Sequence, residues 1–160
     1  QSGALERARN ANLPVAHLSS VTHPESDALD RAIENVLVQY GVNLVVLAGY
    51  MKKLGPRVLA AFSNRIINIH PALLPAFGGR GMYGERVHQA VIECRAQFSG
   101  ATVHLVNEEY DQGPILLQEI VRVLPDDTPE TLAARVLEVE HRLFPAAVGL
   151  FAEMPLSQST

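Results

Sequence analysis

The sequence predicts an α/β fold in which helices flank a mostly parallel sheet. Segments with a helical spacing of apolar residues alternate with short apolar runs, which is the order that β–α–β units produce. The run 44–48 is apolar throughout, which is typical of a strand buried on both faces. The chain has 160 residues, a length that suits one domain. In such sheets ligands bind beyond the carboxyl ends of the strands.

The first half of the chain contains two predicted helices and two predicted strands. In the helix over 26–40, Ser26 or Asp27 can cap the start, and Gly41 is placed to end it. Its apolar stripe consists of Leu29, Ile33, Val36, Leu37 and Tyr40. Three elements follow in order: a strand over 44–48, a short helix over 56–62 and a strand over 65–70.

The second half begins with a loop over 71–85, whose four glycines predict a functional or mobile segment. The next elements are a helix over 86–96, a strand over 102–106, a turn over 107–114 and a strand over 115–123. Asp127 or Thr128 caps the last helix, which Pro145 ends or kinks. Its apolar face consists of Leu132, Val136, Val139 and Leu143. We expect a tail over 153–160.

Charge and composition exclude several classes of protein. The net charge of −4 argues against nucleic-acid and membrane-surface partners, since both favour a basic face. The one cysteine, Cys94, cannot form an internal disulfide, which favours a reducing, cytoplasmic location. No apolar run approaches the roughly 20 residues that span a membrane. The first residues lack the apolar core of a signal peptide.

The strongest candidates for chemistry are Asn68 and His70. Residues two apart in a strand share a face, so both side chains point the same way at the carboxyl end of a predicted buried strand. An amide donor beside an imidazole suits stabilisation of an oxyanion and proton transfer near neutral pH. The alternative is a histidine that only hydrogen-bonds a loop carbonyl.

Four other polar residues have a structural and a functional interpretation. Asp111 precedes Gln-Gly-Pro, so it either bonds its own turn or lies beside His70 and raises the pKa of that imidazole. Thr102 and His104 form another pair on one strand face, either packed or supporting the site. Glu140 leans toward the apolar side of its helix, where it either reaches the rim or contacts a ligand.

We predict neither a metal site nor covalent catalysis. The remaining histidines show no metal-ligand spacing: His17, His23, His88 and His141. No serine lies in a nucleophile elbow, and Cys94 falls within a predicted helix. The segment 78–81 does not follow a phosphate-binding motif, and it predicts a flexible lid instead.

Four motifs occur together in one order: AGYMKKL at 48–54, INIHPALLP at 67–75, GATVH at 100–104 and DQGPI at 111–115. With these motifs the chain resembles the phosphoribosylglycinamide formyltransferases of purine synthesis over residues 3–153. The resemblance implies a formyltransferase-like (Rossmann-like) fold and one catalytic domain over 1–160. It also implies formyl transfer from 10-formyltetrahydrofolate, a cosubstrate, to the amine of glycinamide ribonucleotide, with no metal.

The resemblance also assigns roles to residues. It makes His70 the catalytic histidine, Asn68 the residue that polarises the formyl oxygen, and Asp111 the carboxylate that keeps His70 charged and assists proton transfer. The folate pocket would consist of Met51, Lys52, Lys53, Leu54, Asn68, Glu108, Glu109 and Asp111. Glu140 would lie near the acceptor amine. Thr102 and His104 would support the site.

One departure from the family concerns the start of the chain. Family members begin with a strand and a loop, rich in Gly, Ser and Asn, that binds the phosphate of the acceptor. The chain opens beyond that segment, so we expect it to be N-terminally truncated and to bind glycinamide ribonucleotide poorly by itself. The expected partners are the two small-molecule substrates, with no nucleic acid and no membrane. A homodimer stays open.

Three other functions remain open at this point. Asn68, His70 and Asp111 fit formyltetrahydrofolate deformylase, in which water replaces the amine, equally well. Formylation of a sugar amine or of aminoacyl-tRNA is another option, although a pI near 5.8 gives the tRNA version little support. A folate-binding module without catalysis is the third.

Overall fold

A computed structural model describes residues 3–153, which form five helices and four strands. The helices are α1 (Gly3–Asn10), α2 (Ser26–Gln39), α3 (Pro56–Ala61), α4 (Glu85–Glu93) and α5 (Pro129–Glu153). The strands are β1 (Val45–Leu47), β2 (Ile66–His70), β3 (Phe98–Leu105) and β4 (Ile115–Arg122). Apart from Glu153, which ends α5, the predicted tail over 153–160 lies outside the described residues.

The described residues divide into two compact units. The helical unit comprises 3–42 and 54–61 and contains α1, α2 and α3, and the sheet unit comprises 43–53 and 62–153 and contains every other element. The single domain over 1–160 stays a prediction. Within residues 3–153, no helix combines the length and the apolar character that crossing a membrane requires.

In the helical unit a buried carboxylate holds the start of α3. Asp30 accepts hydrogen bonds from the backbone N–H groups of Arg57 (2.8 Å) and Val58 (3.3 Å). Helix starts leave such N–H groups without partners inside the helix. A Cβ at Gly55 would lie 2.1 Å from the Asp30 carboxyl carbon, so this close approach of the backbone requires glycine.

The start of α2 differs from the prediction. The residue before the helix, at position 25, makes no side-chain cap, so the predicted cap by Ser26 or Asp27 is wrong.

The four strands form a mixed sheet in the order β1-β2-β3-β4. The α/β class is confirmed, but the prediction of a mostly parallel sheet is wrong. Strands β1 and β2 are parallel, whereas β2 with β3 and β3 with β4 are antiparallel. Residues 71–97 bring the chain back to the end at which β2 finished, and the short connection 106–114 turns β3 directly into β4.

One face of this sheet packs into an apolar core, because alternate strand residues point to opposite sides. Ile67 of β2 and Ala101 and Val103 of β3 are fully buried there. The predicted stripe of α5 joins them, with Leu132, Val136, Val139 and Leu143 all buried. Pro145 lies inside α5, which continues to Glu153, so the helix does not end there. The opposite sheet face carries the polar side chains of β2 and β3.

Candidate active site

The polar face of β2 and β3 brings four predicted site residues together. In the antiparallel register, Asn68 lies opposite His104 and His70 lies opposite Thr102. The strand alternation that places Ile67 and Val103 in the core puts these four side chains on the other face. The predicted pairing of Asn68 with His70 on one face is therefore confirmed, at the carboxyl end of β2.

Asp111 lies beside both histidines of this face. Its Oδ2 is 3.6 Å from His70 Nδ1, and its Oδ1 is 3.6 Å from His104 Nε2. Oδ2 also accepts the backbone N–H of Gly79 at 2.8 Å. Asp111 has a φ of 56°, a left-handed conformation that Asp adopts more readily than most residues. Of the two interpretations that the sequence left open, the structure supports the carboxylate beside His70.

His70 is buried, and its Nε2 donates a hydrogen bond to the Phe77 carbonyl at 2.8 Å. Burial lowers the pKa of His70 because it disfavours the charged ring, and the nearby His104 acts in the same direction. Asp111 and the Phe77 carbonyl raise the pKa of His70, but their effect is smaller. Asp111 thus favours the charged form of His70, as the resemblance implies, but burial opposes it more strongly. That Asp111 keeps His70 charged stays a prediction.

The pKa of Asp111 is also lowered. Burial would raise this pKa, but the contact with His104, the Gly79 N–H and the nearby His70 together outweigh it. Near neutral pH the site therefore holds an ionised carboxylate beside an uncharged imidazole. A neutral imidazole can accept a proton, and the adjacent carboxylate then stabilises the charge that forms.

The amide of Asn68 is held from the neighbouring strand. Its Nδ2 lies 3.2 Å from His104 Nε2, and His104 Nδ1 donates to the Leu105 carbonyl at 2.8 Å. An amide N–H next to an imidazole can stabilise a negative oxygen that forms during acyl transfer. Within the described residues no group of three or more His, Cys, Asp and Glu side chains could hold a metal ion.

Thr102 organises the segment that follows His70. Its hydroxyl donates to the Ala72 carbonyl at 2.6 Å and accepts the Leu74 N–H at 3.0 Å. Gln118 Nε2 donates to the same hydroxyl and to the Leu74 carbonyl, both at 2.9 Å. Sequence reasoning missed Gln118, although its place opposite Thr102 would follow from the correct register of β3 and β4. Phe77 and Gly79 were missed as well.

The residues predicted to line a folate pocket lie in two segments. Met51, Lys52 and Lys53 are exposed, and the Lys53 ammonium lies 5.8 Å from the centre of the Tyr110 ring. Leu54 is buried and belongs to the helical unit. Glu108 and Glu109 are exposed in the connection 106–114, where Asn107 Oδ1 accepts the Glu109 N–H at 2.9 Å.

A cavity of about 370 Å³ opens beside Asp111 in the sheet unit, and it is lined by Pro75, Gly79, Tyr110 and Ile115 among others.

Glu140, on α5, is half-buried, and burial raises the pKa of its carboxyl while His141 partly opposes this. Among the described residues no hydrogen bond or ion pair joins Glu140 to Asn68, His70 or Asp111. The structure thus brings five predicted site residues together, whereas Glu140 makes no such contact with them. The five are Asn68, His70, Thr102, His104 and Asp111.

Comparison with known proteins identifies the family to which the chain belongs. Residues 1–148 match the Formyl transferase family. The chain belongs to the formyl transferase family. It is 51% identical over 152 residues to the chloroplastic phosphoribosylglycinamide formyltransferase of Arabidopsis thaliana, covering 94% of this chain and 52% of that protein. The chain spans about half the length of the curated plant relatives it matches.

Solved structures of this family show the same fold. The crystal structure of glycinamide ribonucleotide transformylase 1 from Symbiobacterium toebii has a TM-score of 0.86 and 46% identity, covering 93% of this chain and 68% of that one. A formyltetrahydrofolate deformylase from Pseudomonas syringae is less similar, with a TM-score of 0.78 and 26% identity over 89% of this chain and 46% of that one. Among formyl transferases, the similarity is therefore greater to the transformylase.

Proposed function

We propose that the protein transfers the formyl group of 10-formyltetrahydrofolate to the amine of glycinamide ribonucleotide, a step of purine synthesis. The carrying observation is the cluster of Asn68, His70 and Asp111 at the carboxyl end of β2, in a member of the formyl transferase family. The greater similarity to transformylases than to the deformylase favours an amine over water as the acceptor.

Asn68 stabilises the negative charge that forms in the reaction, and His70 and Asp111 carry out proton transfer. The acceptor nitrogen attacks the formyl carbon, and the Asn68 N–H donates to the oxygen that becomes negative. His70 accepts the proton of the amine through Nδ1, because Nε2 already carries a hydrogen bound to Phe77. Asp111 stabilises the resulting imidazolium. The bond from the formyl carbon to the folate nitrogen then breaks, and that nitrogen takes the proton.

Further residues are proposed to bind the substrates. Met51, Lys52, Lys53 and Leu54 contact the folate, together with the backbone of Glu108, Glu109 and Asp111. Glu140 binds near the acceptor amine. Burial raises the pKa of its carboxyl, and a positive charge beside it would lower that pKa again. Cytoplasmic location and a homodimer remain predictions.

Consumption of 10-formyltetrahydrofolate, measured with and without glycinamide ribonucleotide, tests this proposal. We expect consumption only with the amine, together with formation of formylglycinamide ribonucleotide and tetrahydrofolate. Consumption that does not depend on the amine would identify a deformylase instead. The same assay is run on an N-terminally extended version. If folate binds but neither version consumes the donor at any acceptor concentration, the chain is a binding module and the proposal is wrong.

A further inference from the structure

Gln118, on β4, uses both hydrogens of its amide nitrogen to hold the segment that follows β2. Its Nε2 donates to the Leu74 carbonyl and to the Thr102 hydroxyl, both at 2.9 Å. The carbonyl of Leu74 only accepts hydrogen bonds, which fixes the amide with its nitrogen toward Leu74. Gln118 lies opposite Thr102 in the antiparallel register, so the contact between them follows from the pairing of β3 with β4.

The Leu74 carbonyl belongs to the peptide unit that leads toward Phe77. Thr102 accepts the Leu74 N–H at 3.0 Å and so holds the peptide unit before this one. Gln118 holds the unit after it. A backbone hydrogen bond of 3.0 Å closes the turn 73–76, from the N–H of its last residue to the carbonyl of its first. Because this turn ends directly before Phe77, the contact of Gln118 with Leu74 fixes where Phe77 begins.

The packing of Leu74 ties the same segment to Asp111. Leu74 is buried, and a Cβ at Gly78 would lie 2.4 Å from its Cδ2 and 3.2 Å from the Cβ of Asp111. The next residue, Gly79, donates its N–H to Asp111 Oδ2 at 2.8 Å. The segment from Leu74 to Gly79 is therefore closely packed against the site, and a displaced Leu74 would displace it.

The position of the Phe77 carbonyl decides which nitrogen of His70 carries hydrogen. A neutral imidazole has one N–H, and His70 has an acceptor on each side. The Phe77 oxygen lies 2.8 Å from Nε2, within hydrogen-bond distance, whereas Asp111 Oδ2 lies 3.6 Å from Nδ1, beyond it. The hydrogen is therefore on Nε2 while Phe77 is held in place. If the Phe77 carbonyl moved away, the Asp111 carboxylate would attract the hydrogen to Nδ1, and that nitrogen could no longer accept a proton.

We propose that Gln118 is a positioning residue that keeps Nδ1 of His70 free to accept a proton, because it holds the segment that carries the Phe77 carbonyl. Its effect passes through Leu74 and the turn 73–76, since among the described residues no hydrogen bond joins Gln118 to His70 itself. The inference rests on the proposed function, in which this nitrogen is the base. The position of the hydrogen can nevertheless be measured in the resting protein.

NMR of the full chain labelled with ¹⁵N-histidine tests the position of the hydrogen. At neutral pH we expect the wild-type His70 ring to carry hydrogen on Nε2 only. Gln118→Met keeps the length of the side chain and removes both donors, so a His70 population with hydrogen on Nδ1 should appear. The spectrum of His70→Ala identifies the His70 signals. Gln89→Met is the matched control, because Gln89 is exposed on α4, where it donates to Glu93 at 2.7 Å.

The kinetic effect should follow the two populations of His70. Only the ring with hydrogen on Nε2 can accept a proton at Nδ1, so kcat should fall by at least the factor by which that population falls. We expect Gln118→Met to lose about 10-fold or more in kcat, since an imidazole in the wrong tautomer is a poor base. Gln89→Met should retain the wild-type kcat and the wild-type spectrum. Urea unfolding of both variants shows whether each is folded under the assay conditions.

An unchanged His70 tautomer in folded Gln118→Met would overturn the proposal, because a merely structural role lowers stability without moving the hydrogen. A wild-type His70 with hydrogen on Nδ1, or a moved hydrogen with unchanged kcat, would overturn it as well. If Gln118→Met fails to fold, Gln118→Glu replaces it, since an ionised carboxylate has the same size and no hydrogen to donate. If the wild-type chain transfers no formyl group, the proposed function fails, while the tautomer still tests the role of Gln118.

Discussion

Asp111 and Asp127 are two carboxylates of the sheet unit that differ in the kind of partner they have. Asp127 binds the Arg135 guanidinium through both oxygens, at 2.6 and 2.9 Å. It also accepts the Leu124 N–H at 2.7 Å and the Thr131 hydroxyl at 2.9 Å. The Arg135 hydrogen bonds, more than any other contact, hold the pKa of Asp127 well below its usual range. Arginine stays charged at every ordinary pH and the carboxylate stays ionised, so this arrangement does not respond to protons near neutral pH.

Asp111 has one backbone donor and two imidazoles at 3.6 Å. The charge of an imidazole changes near neutral pH, so the strength of these contacts changes whenever a proton arrives or leaves. Both carboxylates have a lowered pKa, and that property alone does not separate them. What separates them is whether the partner can change its charge. A carboxylate with titratable partners is suited to proton transfer, and one held by arginine is suited to stability.

The largest expected effect separates the two aspartates by activity. Asp111→Asn removes the charge that stabilises a protonated His70, so kcat for formyl transfer should fall about 100-fold or more. Asp127→Asn should leave kcat unchanged and lower the free energy of unfolding by about 1–2 kcal/mol, since it removes the charge that pairs with Arg135 and weakens the hydrogen bonds near the start of α5. Equal losses of kcat in the two variants would contradict the assignment of Asp111 to proton transfer and of Asp127 to stability.

The next effect compares a buried hydroxyl with an exposed one. Thr102→Val deprives the Leu74 N–H and Gln118 of an acceptor in a buried site, which should cost about 2–4 kcal/mol in chemical denaturation. Thr131→Val, at the exposed corner beside Asp127, should cost about 1 kcal/mol. Thr102→Ser keeps the hydroxyl and serves as the control. A Thr102→Val protein as stable as wild type would show that this network contributes little.

A smaller effect concerns the dependence of stability on pH. Burial lowers the pKa of both His70 and His88 below the 6.5 expected in the unfolded chain. The unfolded chain therefore binds more protons than the native state as the pH falls through 6.5, and the free energy of unfolding should decline there. His88→Gln should reduce this decline, measured by urea unfolding at several pH values. Asp127 has a lowered pKa, so its contribution persists until the pH falls below about 4. An unchanged decline in His88→Gln would contradict this explanation.

The smallest expected effect concerns an ion pair of charged side chains at the surface. Arg142 hydrogen-bonds Glu119, with side-chain exposures of 60% and 36%. Exposed pairs of this kind contribute about 0–1 kcal/mol because water and salt screen them. Arg142→Met should therefore change the unfolding midpoint only slightly. A loss of stability as large as that of Thr102→Val would show that the exposure of this ion pair does not predict its contribution to stability.

The parts of the site that depend on local periodicity could be predicted from the sequence. Asn68 and His70 share a face because strand residues alternate, and the stripe of α5 follows helical spacing. The direction of β3 could not be predicted, because a helix between two strands favours a parallel pair and here the chain returns to the same end. Without the direction of β3, the sequence does not show that Asn68 lies opposite His104.

Other features depend on residues that are distant in the chain. Asp111 meets His70 only because the connection after β3 returns to the end of β2, and no local pattern encodes that meeting. The burial of His70 depends on the whole sheet in the same way, so the sequence shows the carboxylate that raises the pKa of His70 but not the burial that lowers it. The resemblance to a known family supplied the residue roles that periodicity could not.

The most direct test of the site compares His70→Ala with a matched variant outside it, His17→Ala. His17 is an exposed histidine of the helical unit. Formyl transfer is measured at saturating donor and acceptor, and donor affinity is measured separately by calorimetry. The account predicts that His70→Ala loses at least about 100-fold in kcat while donor affinity survives, and that His17→Ala behaves as wild type. Unchanged turnover in His70→Ala would contradict the central claim that this imidazole moves the proton.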